Sequence, residues 1–461
     1  MSVPSPLGRA DHLTFKGNLA ATRYGWLRLT PAYSVHLVAE LLDQTPLGDG
    51  LVLDPYCGTG TTALVCAERG IACHTSDINP FLLWLAKAKT RPYSDRDLIE
   101  FGRVRTEIAA AIVDESGHDA WAPPLHQIEK WWDAGTLSAL GRAMTAIKQH
   151  ETAASTAVID LLKIAFCRVM IERSNASFGH QSMSFKKHGS NGTDAGLADT
   201  DERDPSTAVG MTAGREAVLN PNGHSEWSPQ AESRNLSLER EARSQASRLV
   251  LASWERACDL IAASAQSPIE RIPEVIHCDA RSLVGTFRTT SYECVITSPP
   301  YPNRMSYIRE LRPYMYWLGY LQDAHDAGEL DWRAIGGTWG IATSNVSKWE
   351  PDSRSDIPFE GFGEILAAIA ARSPVLSKYV HKYFCDMAEH IGQLFAVTKA
   401  GGAIHYIVGN STFYGVLLPV ERIYAALFDA VGFRDVDIRV IRKRTSKKEL
   451  YEYVVSARKP G

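Results

Sequence analysis

The order of apolar and polar positions near the start of the chain predicts a strand–helix–strand unit. Residues 35–42 carry apolar side chains at helical spacing, and residues 50–54 form a short apolar run that ends in an acid. A glycine-containing turn follows, then a helical stretch over residues 61–68 and a second strand-like run over residues 71–77. Strand, turn, helix and strand in this order predict a βαβ unit and a parallel sheet.

The same patterns continue on both sides of a polar middle region. Further helices are predicted over residues 81–89, 98–113, 153–172, 307–321 and 379–397. Further strands are predicted over residues 275–279, 294–298, 402–408, 439–444 and 451–457, of which the last two form a closing hairpin. The predicted fold class is therefore α/β.

The middle region divides the chain. Residues 178–245 are rich in Gly, Asp, Thr and Ser, and they have too few apolar side chains to form a core, so we expect a flexible insertion. The expected segments are the first part of the α/β domain, this insertion, the second part of the domain, a second insertion and the end of the sheet. Their bounds are 1–177, 178–245, 246–322, 323–375 and 376–461.

Composition limits the class of protein. The chain has 461 residues, of which 45% are hydrophobic and 22% charged, as in an ordinary globular protein. It has no run near the ~18 apolar residues of a membrane span and no visible secretory signal, so we expect a cytoplasmic protein without membrane contact. Eight cysteines without a C-x-x-C pair disfavour a disulfide framework and a zinc site, and we expect no metal. The net charge of −4 excludes a generally basic surface but allows a local basic face.

A glycine turn lies at the first predicted strand-to-helix junction. The sequence DPYCGTGTT occupies residues 54–62, in which Gly58 and Gly60 allow the backbone to approach a ligand. The third glycine of a dinucleotide fingerprint and the lysine of a phosphate loop are both missing. Taken alone, the segment is also compatible with a structural βα turn.

A second acid makes a cofactor site the better interpretation. Asp77 closes the next predicted strand, where a carboxylate can accept both hydroxyls of a ribose. Asp54, before the turn, would repel a pyrophosphate but would suit a cation. Two acids in these places suit an adenosyl group joined to a cationic amino acid, a description that S-adenosylmethionine fits.

A rigid polar segment ends the strand predicted over residues 294–298. The sequence SPPY occupies residues 298–301, and its two prolines fix the backbone and remove two donors. Free carbonyls, a serine oxygen and a flat tyrosine ring would suit a planar base that carries an exocyclic amino group. A proline-stiffened loop with a buried tyrosine is the structural alternative.

DPYCGTGTT resembles motif I, and SPPY resembles motif IV, of the amino-methylating DNA methyltransferases. The resemblance covers residues 15–110 and 270–458 and leaves the first insertion uncovered. It implies a Rossmann-like sheet of seven strands whose last strand is antiparallel, and S-adenosylmethionine as the methyl donor. A weaker match to motif X spans residues 26–31.

The resemblance also implies roles for single residues. Those expected to bind the cofactor are Asp54, Tyr56, Gly58 and Gly60 at its methionine end, Asp77 at the ribose and Asp279 at the adenine amino group. Those expected to hold the target base and form the catalytic segment are Ser298, Pro299, Pro300 and Tyr301.

The first residue of motif IV indicates the base. In the family, Ser at this position usually accompanies cytosine-N4 methylation, whereas Asp or Asn accompanies adenine-N6 methylation. Ser298 therefore favours cytosine N4 in duplex DNA, with adenine N6 as the nearest alternative. An RNA guanine-N2 methyltransferase and a non-catalytic nucleic-acid-binding module are further alternatives. The resemblance also implies a restriction-modification or related defence system, in which a cognate endonuclease would be a separate chain.

Basic residues suggest where DNA would be bound. Residues 439–448 include six basic side chains, and the expected phosphate contacts are Arg304, Arg442, Lys443, Arg444 and Lys447. A solvated hairpin edge explains the same residues 439–448 equally well. The candidate target-recognition regions are residues 161–243 and the insertion 323–375.

Overall fold

The computed structural model describes residues 18, 23–27, 29, 32–116, 121–177, 184–185, 229–287, 291–303, 305–338, 340–352, 356–444 and 449–461. The described helices are α1 Val35–Gln44, α2 Thr61–Glu68, α3 Pro80–Thr90, α4 Asp95–Val113, α5 Ala134–His150, α6 Thr156–Glu172, α7 Pro229–Ala265, α8 Leu283–Thr286, α9 Tyr307–Trp317, α10 Ala324–Arg333, α11 Ile341–Lys348, α12 Phe362–Ala370, α13 Pro374–Val397 and α14 Val420–Val431. The described strands are β1 Val52–Asp54, β2 Cys73–Asp77, β3 Ala176–Ser177, β4 Ser184–Phe185, β5 Glu274–His277, β6 Tyr292–Thr297, β7 Thr398–Gly409, β8 Ser411–Phe413, β9 Val416–Leu418, β10 Arg434–Lys443 and β11 Tyr451–Arg458.

Seven of these strands form the central sheet, in the order β10-β11-β7-β6-β1-β2-β5. The pairs β1–β2, β1–β6, β2–β5 and β6–β7 are parallel, whereas β11 is antiparallel to both of its neighbours. The predicted Rossmann-like sheet with an antiparallel last strand is therefore confirmed. β2 and β5 lie on one side of β1, whereas β6 and β7 lie on the other, so the strand order reverses at β1. Such sheets bind ligands in the crevice at this reversal.

Helices cover both faces of this sheet. On one face, α13 and α14 contribute Tyr383, Phe384 and Tyr424 to a core with β7. On the other, α1 and α2 pack Leu41 and Leu64 against β1 and β6. Burial on both faces accounts for the continuous apolar runs of the central strands.

A separate layer of helices lies beside the sheet. Helices α4, α5, α6 and α7 pack on one another, and their core includes Trp132 and Trp254 together with Trp317 of α9. Sequence patterns did not predict α5 or α7. The expected boundary of the first insertion, residue 245, falls inside α7, whereas most of residues 178–228 lie outside the described part of the chain.

Side-chain caps fix where the helices near the sheet edge begin. Ser34 caps α1, and the Asn79 side chain accepts from the Phe81 amide at the start of α3, where Pro80 occupies the first turn. Among the described residues of the second expected insertion, 323–375, α10, α11 and α12 are helical and α13 begins at Pro374. No helix among the described residues is long and apolar enough to cross a membrane.

Candidate active site at the carboxyl edge of the sheet

The carboxyl ends of the parallel strands bring the predicted site residues together at one edge of the sheet. β1 ends at Asp54, β2 ends at Asp77 and Asp279 follows β5. We call this side the donor half, because these residues are predicted to bind the methyl donor. Ser298 follows β6, and Gly409 ends β7 beside the start of β11, and we call this side the base half. The two halves meet where β1 pairs with β6.

Two glycines give the turn of the donor half its shape. Gly58 and Gly60 have φ angles of 50° and 75°, a left-handed conformation that favours glycine. A Cβ atom on Gly60 would lie 3.2 Å from the Cβ atom of Ala86, so the glycine also lets α3 pack closely. The Gly60 amide donates to the Cys57 carbonyl over 2.8 Å, which closes the turn.

Asp54 is fully buried beneath this turn. Its Oδ1 accepts from the Thr297 hydroxyl at 2.6 Å and from the Tyr56 amide at 3.2 Å, and its Oδ2 accepts from the Tyr33 hydroxyl at 2.9 Å. Burial raises the pKa of Asp54 to about 7 despite these three bonds. Since no part of its side chain is exposed, the predicted effect of Asp54 on a cofactor would pass through the turn that it fixes and through its charge.

Asp77 is less enclosed and faces the same turn. Its Oδ2 accepts from the Gly58 amide at 3.1 Å, and its Oδ1 accepts from the Asn79 amide at 2.9 Å. Burial raises the pKa of Asp77 to about 6. Its carboxylate has further lone pairs, as the predicted contact with the ribose hydroxyls requires.

Asp279 is in a different environment, because Arg281 binds it. Arg281 donates from Nη2 to Oδ2 at 2.7 Å and from Nε to Oδ1 at 3.1 Å. Burial raises the pKa of Asp279, but the bonds from Arg281 outweigh burial and hold the pKa below its usual value. Arg281 also donates to Asp386, which accepts from Lys382. The predicted contact of Asp279 with adenine would have to share the carboxylate with Arg281.

Tyr56 joins the glycine turn to α13. Its hydroxyl donates to the Met387 sulfur at 3.5 Å, and its ring packs edge-on against His390 with 4.9 Å between ring centroids. His390 in turn bonds the Tyr406 hydroxyl at 2.6 Å. Burial lowers the pKa of His390 to about 4, so this imidazole is neutral near pH 7.

A buried lysine lies below the glycine turn. Lys89 of α3 is 1% exposed, and its Nζ donates to the Thr59 carbonyl at 3.0 Å and to the Tyr24 carbonyl at 3.5 Å. Burial lowers the pKa of Lys89 to about 8. The lysine therefore joins the turn to the segment that precedes α1, a link that the sequence did not reveal.

Ser298 is well placed to accept hydrogen bonds. Its hydroxyl donates to the Ile407 carbonyl at 2.9 Å, and its oxygen also interacts with the Tyr301 hydroxyl. A hydroxyl oxygen has two lone pairs, so Oγ can still accept from a ligand. The carbonyl of Pro300 accepts from the Tyr383 hydroxyl at 2.8 Å. Tyr383 thereby links the SPPY segment to α13, on the face of the sheet that α13 and α14 cover.

Tyr301 is held by the last strand of the sheet. Its hydroxyl donates to Oε1 of Glu452 at 2.9 Å, and the guanidinium carbon of Arg444 lies 5.4 Å from the centroid of its ring. A Cβ atom on Gly409 would lie 2.9 Å from the Tyr301 ring, so glycine is required where the ring crosses the end of β7.

The residues expected to contact DNA fall into two groups. Arg304 and Lys447 lie outside the described residues. Arg442 donates to Glu452 at 2.7 Å, Lys443 pairs with Glu449 at 2.8 Å and Arg444 donates to the backbone carbonyl that follows β7 at 3.0 Å. The described members of the group are thus engaged within the protein, and their contact with DNA stays a prediction.

Among the described residues, one cluster has the spacing of a metal site. Asp323, His325 and Asp326 are exposed at the start of α10. Asp323 caps the helix by accepting from the Asp326 amide at 2.9 Å, and Asp326 accepts from the Gln322 amide. Helix capping accounts for the acids, and the absence of a metal from the site stays an expectation.

Comparison with known proteins points to methyltransferases. No protein-family model matches the chain. The chain is 21% identical over 446 residues to the type II methyltransferase M.AvaI of Nostoc sp., a match that covers 93% of this chain and 83% of the relative. It is 21% identical over 209 residues to the type II methyltransferase M.BsoBI of Geobacillus stearothermophilus, with 40% of each chain covered.

Two solved structures show weaker likeness. The rRNA methyltransferase aviRa from Streptomyces viridochromogenes has a TM-score of 0.28 at 12% identity, covering 99% of this chain and 96% of its own. A putative DNA modification methylase from Thermus thermophilus has a TM-score of 0.21 at 16% identity, covering 40% of this chain and 52% of its own. Because these TM-scores are low, the fold assignment rests on the strand order of the central sheet and not on similarity to these two structures.

S-adenosylmethionine is the methyl donor of such an enzyme, and the donor half fits it. Asp54 and Asp77 have raised pKa values because they are buried, and among the described residues their hydrogen-bond donors are hydroxyls and backbone amides rather than cations. A cationic ligand beside the turn would compensate their charge. The motif order, the sheet order and the similarity to type II methyltransferases along 93% of the chain support the amino-methyltransferase family for this protein.

Proposed function

We propose that this protein is a site-specific DNA methyltransferase that transfers a methyl group from S-adenosylmethionine to the exocyclic N4 amine of cytosine in duplex DNA. The observation that carries the proposal is Ser298 at the first position of motif IV, with its hydroxyl hydrogen already donated to Ile407. The relatives M.AvaI and M.BsoBI are named type II methyltransferases, which supports DNA as the substrate.

The proposed chemistry begins with the position of the amine. An exocyclic amine is a poor nucleophile, because its lone pair is delocalised into the ring. Ser298 Oγ and the Pro299 carbonyl would accept hydrogen bonds from its two hydrogens and so increase the electron density on the amine nitrogen. Positioning and electrostatics would supply most of the rate enhancement.

The donor supplies an electrophilic methyl group on a sulfonium. The residues of the donor half bind and orient it: Asp77 through the ribose, the Gly58–Gly60 turn through close backbone approach, and buried Asp54 through its charge. The S–CH3 bond would break as the N–CH3 bond forms, and S-adenosylhomocysteine would leave. No general base is required for the attack, since the methylated amine becomes acidic and releases one proton to solvent.

The base must leave the duplex before it can reach Ser298. Flipping costs a few kcal/mol of stacking and pairing free energy, which contacts in the pocket offset. Tyr301, whose ring is fixed at the end of β7, would stack on the flipped base. This step places the donor and the base side by side over the carboxyl edge of the sheet.

The proposed setting is a restriction-modification or related defence system. A cognate endonuclease would then be a separate protein that recognises the same sequence. A cytoplasmic location agrees with the eight cysteines, all of which are free thiols in the structure.

Nucleoside mass spectrometry tests the proposal. DNA from cells that express the protein should contain N4-methylcytosine, and DNA from cells that express Ser298→Ala should not. Ser291→Ala, at the opposite end of β6 and exposed, is the matched control and should behave as wild type. If the DNA contains N6-methyladenine instead, the assignment moves to adenine. If the DNA contains neither modified nucleoside and the RNA contains methylated guanine, the RNA alternative is reopened.

A further inference from the structure

The last two strands of the sheet reach the base half. In the sheet register, Glu452 of β11 lies opposite Gly409 of β7 and also opposite Arg442 of β10. β11 runs antiparallel to β7, so the beginning of β11 lies where β7 ends. A residue from the end of the chain is therefore adjacent to motif IV, whose Tyr301 lies 151 positions earlier.

Glu452 is a buried carboxylate with two partners. It is 9% exposed, its Oε1 accepts from the Tyr301 hydroxyl at 2.9 Å, and its Oε2 accepts from Arg442 Nε at 2.7 Å. A buried carboxylate is costly unless it is paired and hydrogen-bonded. The Arg442 cation balances the charge of this carboxylate, while the second oxygen accepts from the Tyr301 hydroxyl.

Arg444 constrains the face of the same ring. Its Nη1 donates to the Asn410 carbonyl at 3.0 Å, and its guanidinium lies 5.4 Å from the Tyr301 centroid. Asn410 also bonds the hairpin itself, because its Oδ1 accepts from the Tyr451 amide at 2.8 Å. The ring is thus held at its hydroxyl, at its face and at its edge against Gly409.

We propose that Glu452 and Arg444 are positioning residues that fix the orientation of Tyr301, so that the closing hairpin β10–β11 is a working part of the base pocket. The inference depends on the proposed function, since it assigns Tyr301 to the target base. An unfixed ring would rotate about its side-chain bonds, and the base would lose its stacking surface at the moment of transfer. Donor binding, on the other half, would be unaffected.

The experiment compares Glu452→Gln, Tyr301→Phe and the double variant. Glutamine has one acceptor oxygen in place of two. Arg442 can only donate and keeps that oxygen, so the glutamine amide faces the Tyr301 hydroxyl and the bond from Tyr301 to a carboxylate is lost. Glu449→Gln is the matched control, because Glu449 lies in the same hairpin and its side chain is 71% exposed. The substrate is unmethylated genomic DNA from a methylase-deficient bacterial host, with radiolabelled S-adenosylmethionine.

We expect each single variant to lower kcat about tenfold, with an unchanged Kd for S-adenosylmethionine. The double variant should be no slower than the slower single variant, because both changes remove the same contact. Unchanged thermal unfolding and donor Kd separate this effect from misfolding. In Arg444→Gln, which leaves both partners of the Tyr301–Glu452 bond in place, kcat should fall while donor Kd is constant.

Two kinetic outcomes would show that the contact does not position the ring. In the first, Glu452→Gln has the same kcat as the control Glu449→Gln. In the second, the fold-losses of kcat in the two single variants multiply in the double variant. A variant that lost donor binding would indicate a structural role instead. If the wild-type protein transfers no methyl group to any DNA, the proposed function itself fails, which is a distinct result.

Discussion

The donor half and the base half of the site balance charge in opposite ways. In the donor half, Asp54 and Asp77 are bonded by hydroxyl and amide donors, and burial raises their pKa values to about 7 and about 6. In the base half, the carboxylate of Glu452 faces the cation of Arg442. The protein thus leaves negative charge for a cationic ligand to compensate on one side, and compensates its own charge on the side proposed for a neutral base.

Asp279 shows where the donor half departs from this rule. Arg281 forms ion pairs with both Asp279 and Asp386, and the pKa of Asp279 lies below its usual value. The acids nearest the glycine turn therefore differ from the acid expected at the adenine. An adenine ring is neutral, so the predicted contact of Asp279 with adenine needs no cationic ligand to compensate this carboxylate, whose charge Arg281 already balances.

The strongest test of the difference between the halves is Asp54→Asn, which should lose most of the affinity for the donor. The substitution keeps the shape of the side chain but removes its charge, and it points an amide donor at hydroxyl or amide partners. We expect the Kd for S-adenosylmethionine to rise roughly 100-fold, which corresponds to ~2.7 kcal/mol. Isothermal titration calorimetry measures the change, and Asp43→Asn, an exposed carboxylate paired with Arg69, is the control.

A donor Kd within about threefold of wild type in Asp54→Asn would contradict the contrast between the halves. A matched loss in Asp43→Asn would indicate a nonspecific effect of net charge. In both cases transfer activity should be measured separately from binding, since Asp54 also accepts from Thr297 beside motif IV.

The pH dependence of donor binding examines the same contrast more finely. The folded pKa values of Asp54 and Asp77 are raised, so protons bind to the ligand-free protein below about pH 7 and about pH 6. A cationic ligand favours the ionised acids and must displace these protons. We expect S-adenosylmethionine to bind more tightly as pH rises from about 5 to about 8.

The uncharged sulfide product, S-adenosylhomocysteine, is the control ligand for that titration. It lacks the sulfonium, so its Kd should change less over the same pH range. Equal slopes for the two ligands would contradict the proposal that the sulfonium charge compensates the charges of Asp54 and Asp77. The raised pKa of Asp54 also affects the ligand-free protein. Its free energy of unfolding should fall as pH rises from about 4 to about 7, because the folded state holds the Asp54 proton more tightly than the unfolded state.

An intermediate effect is expected for Lys89→Met. Methionine fills a similar volume but leaves the Thr59 carbonyl without its buried donor, which costs about 1–3 kcal/mol of unfolding free energy. The donor Kd should rise severalfold because the turn loses its anchor, while binding of DNA is unchanged. Lys87→Met, an exposed position on the same helix, should change neither thermal unfolding nor the donor Kd.

A modest effect is expected in the basic hairpin. Lys443 pairs with an exposed acid at the surface, whereas Arg442 pairs with buried Glu452. Lys443→Gln should weaken DNA binding only a fewfold and lower the salt slope of log K by about 1. Arg442→Gln should instead slow transfer at saturating DNA. Fluorescence anisotropy at several salt concentrations distinguishes the two variants. If they have the same salt slope, Lys443 and Arg442 would both be simple phosphate contacts.

Sequence patterns predicted much of the donor half because its parts are close in the chain. Asp54, the glycine turn and Asp77 lie within one strand–helix–strand unit, and chain order alone brings them to one edge. The partners of Asp54 were missed, since Tyr33 precedes the unit and Thr297 follows Asp54 by 243 positions. Neither residue type carries a signal of its own, although Thr297 directly precedes SPPY.

The base half could be predicted only in part. SPPY marks motif IV by its unusual prolines, but the contact between Tyr301 and Glu452 joins residues 151 positions apart. Residues 439–448 were expected to bind DNA as a basic run, and the structure engages Arg442 and Arg444 with internal partners. Charge in a sequence does not show which side chains face an acid across the sheet.

The α/β class, the order of the two motifs and the acids of the donor half follow from the chain alone, because short-range periodicity specifies strands and helices and parallel strands must end at one edge. Which charges are compensated follows instead from the folded molecule. The register of β11 against β7 sets Glu452 beside Tyr301, and the burial of Asp54 among hydroxyls raises its pKa. Register and burial arise from packing between distant segments, which local patterns do not encode.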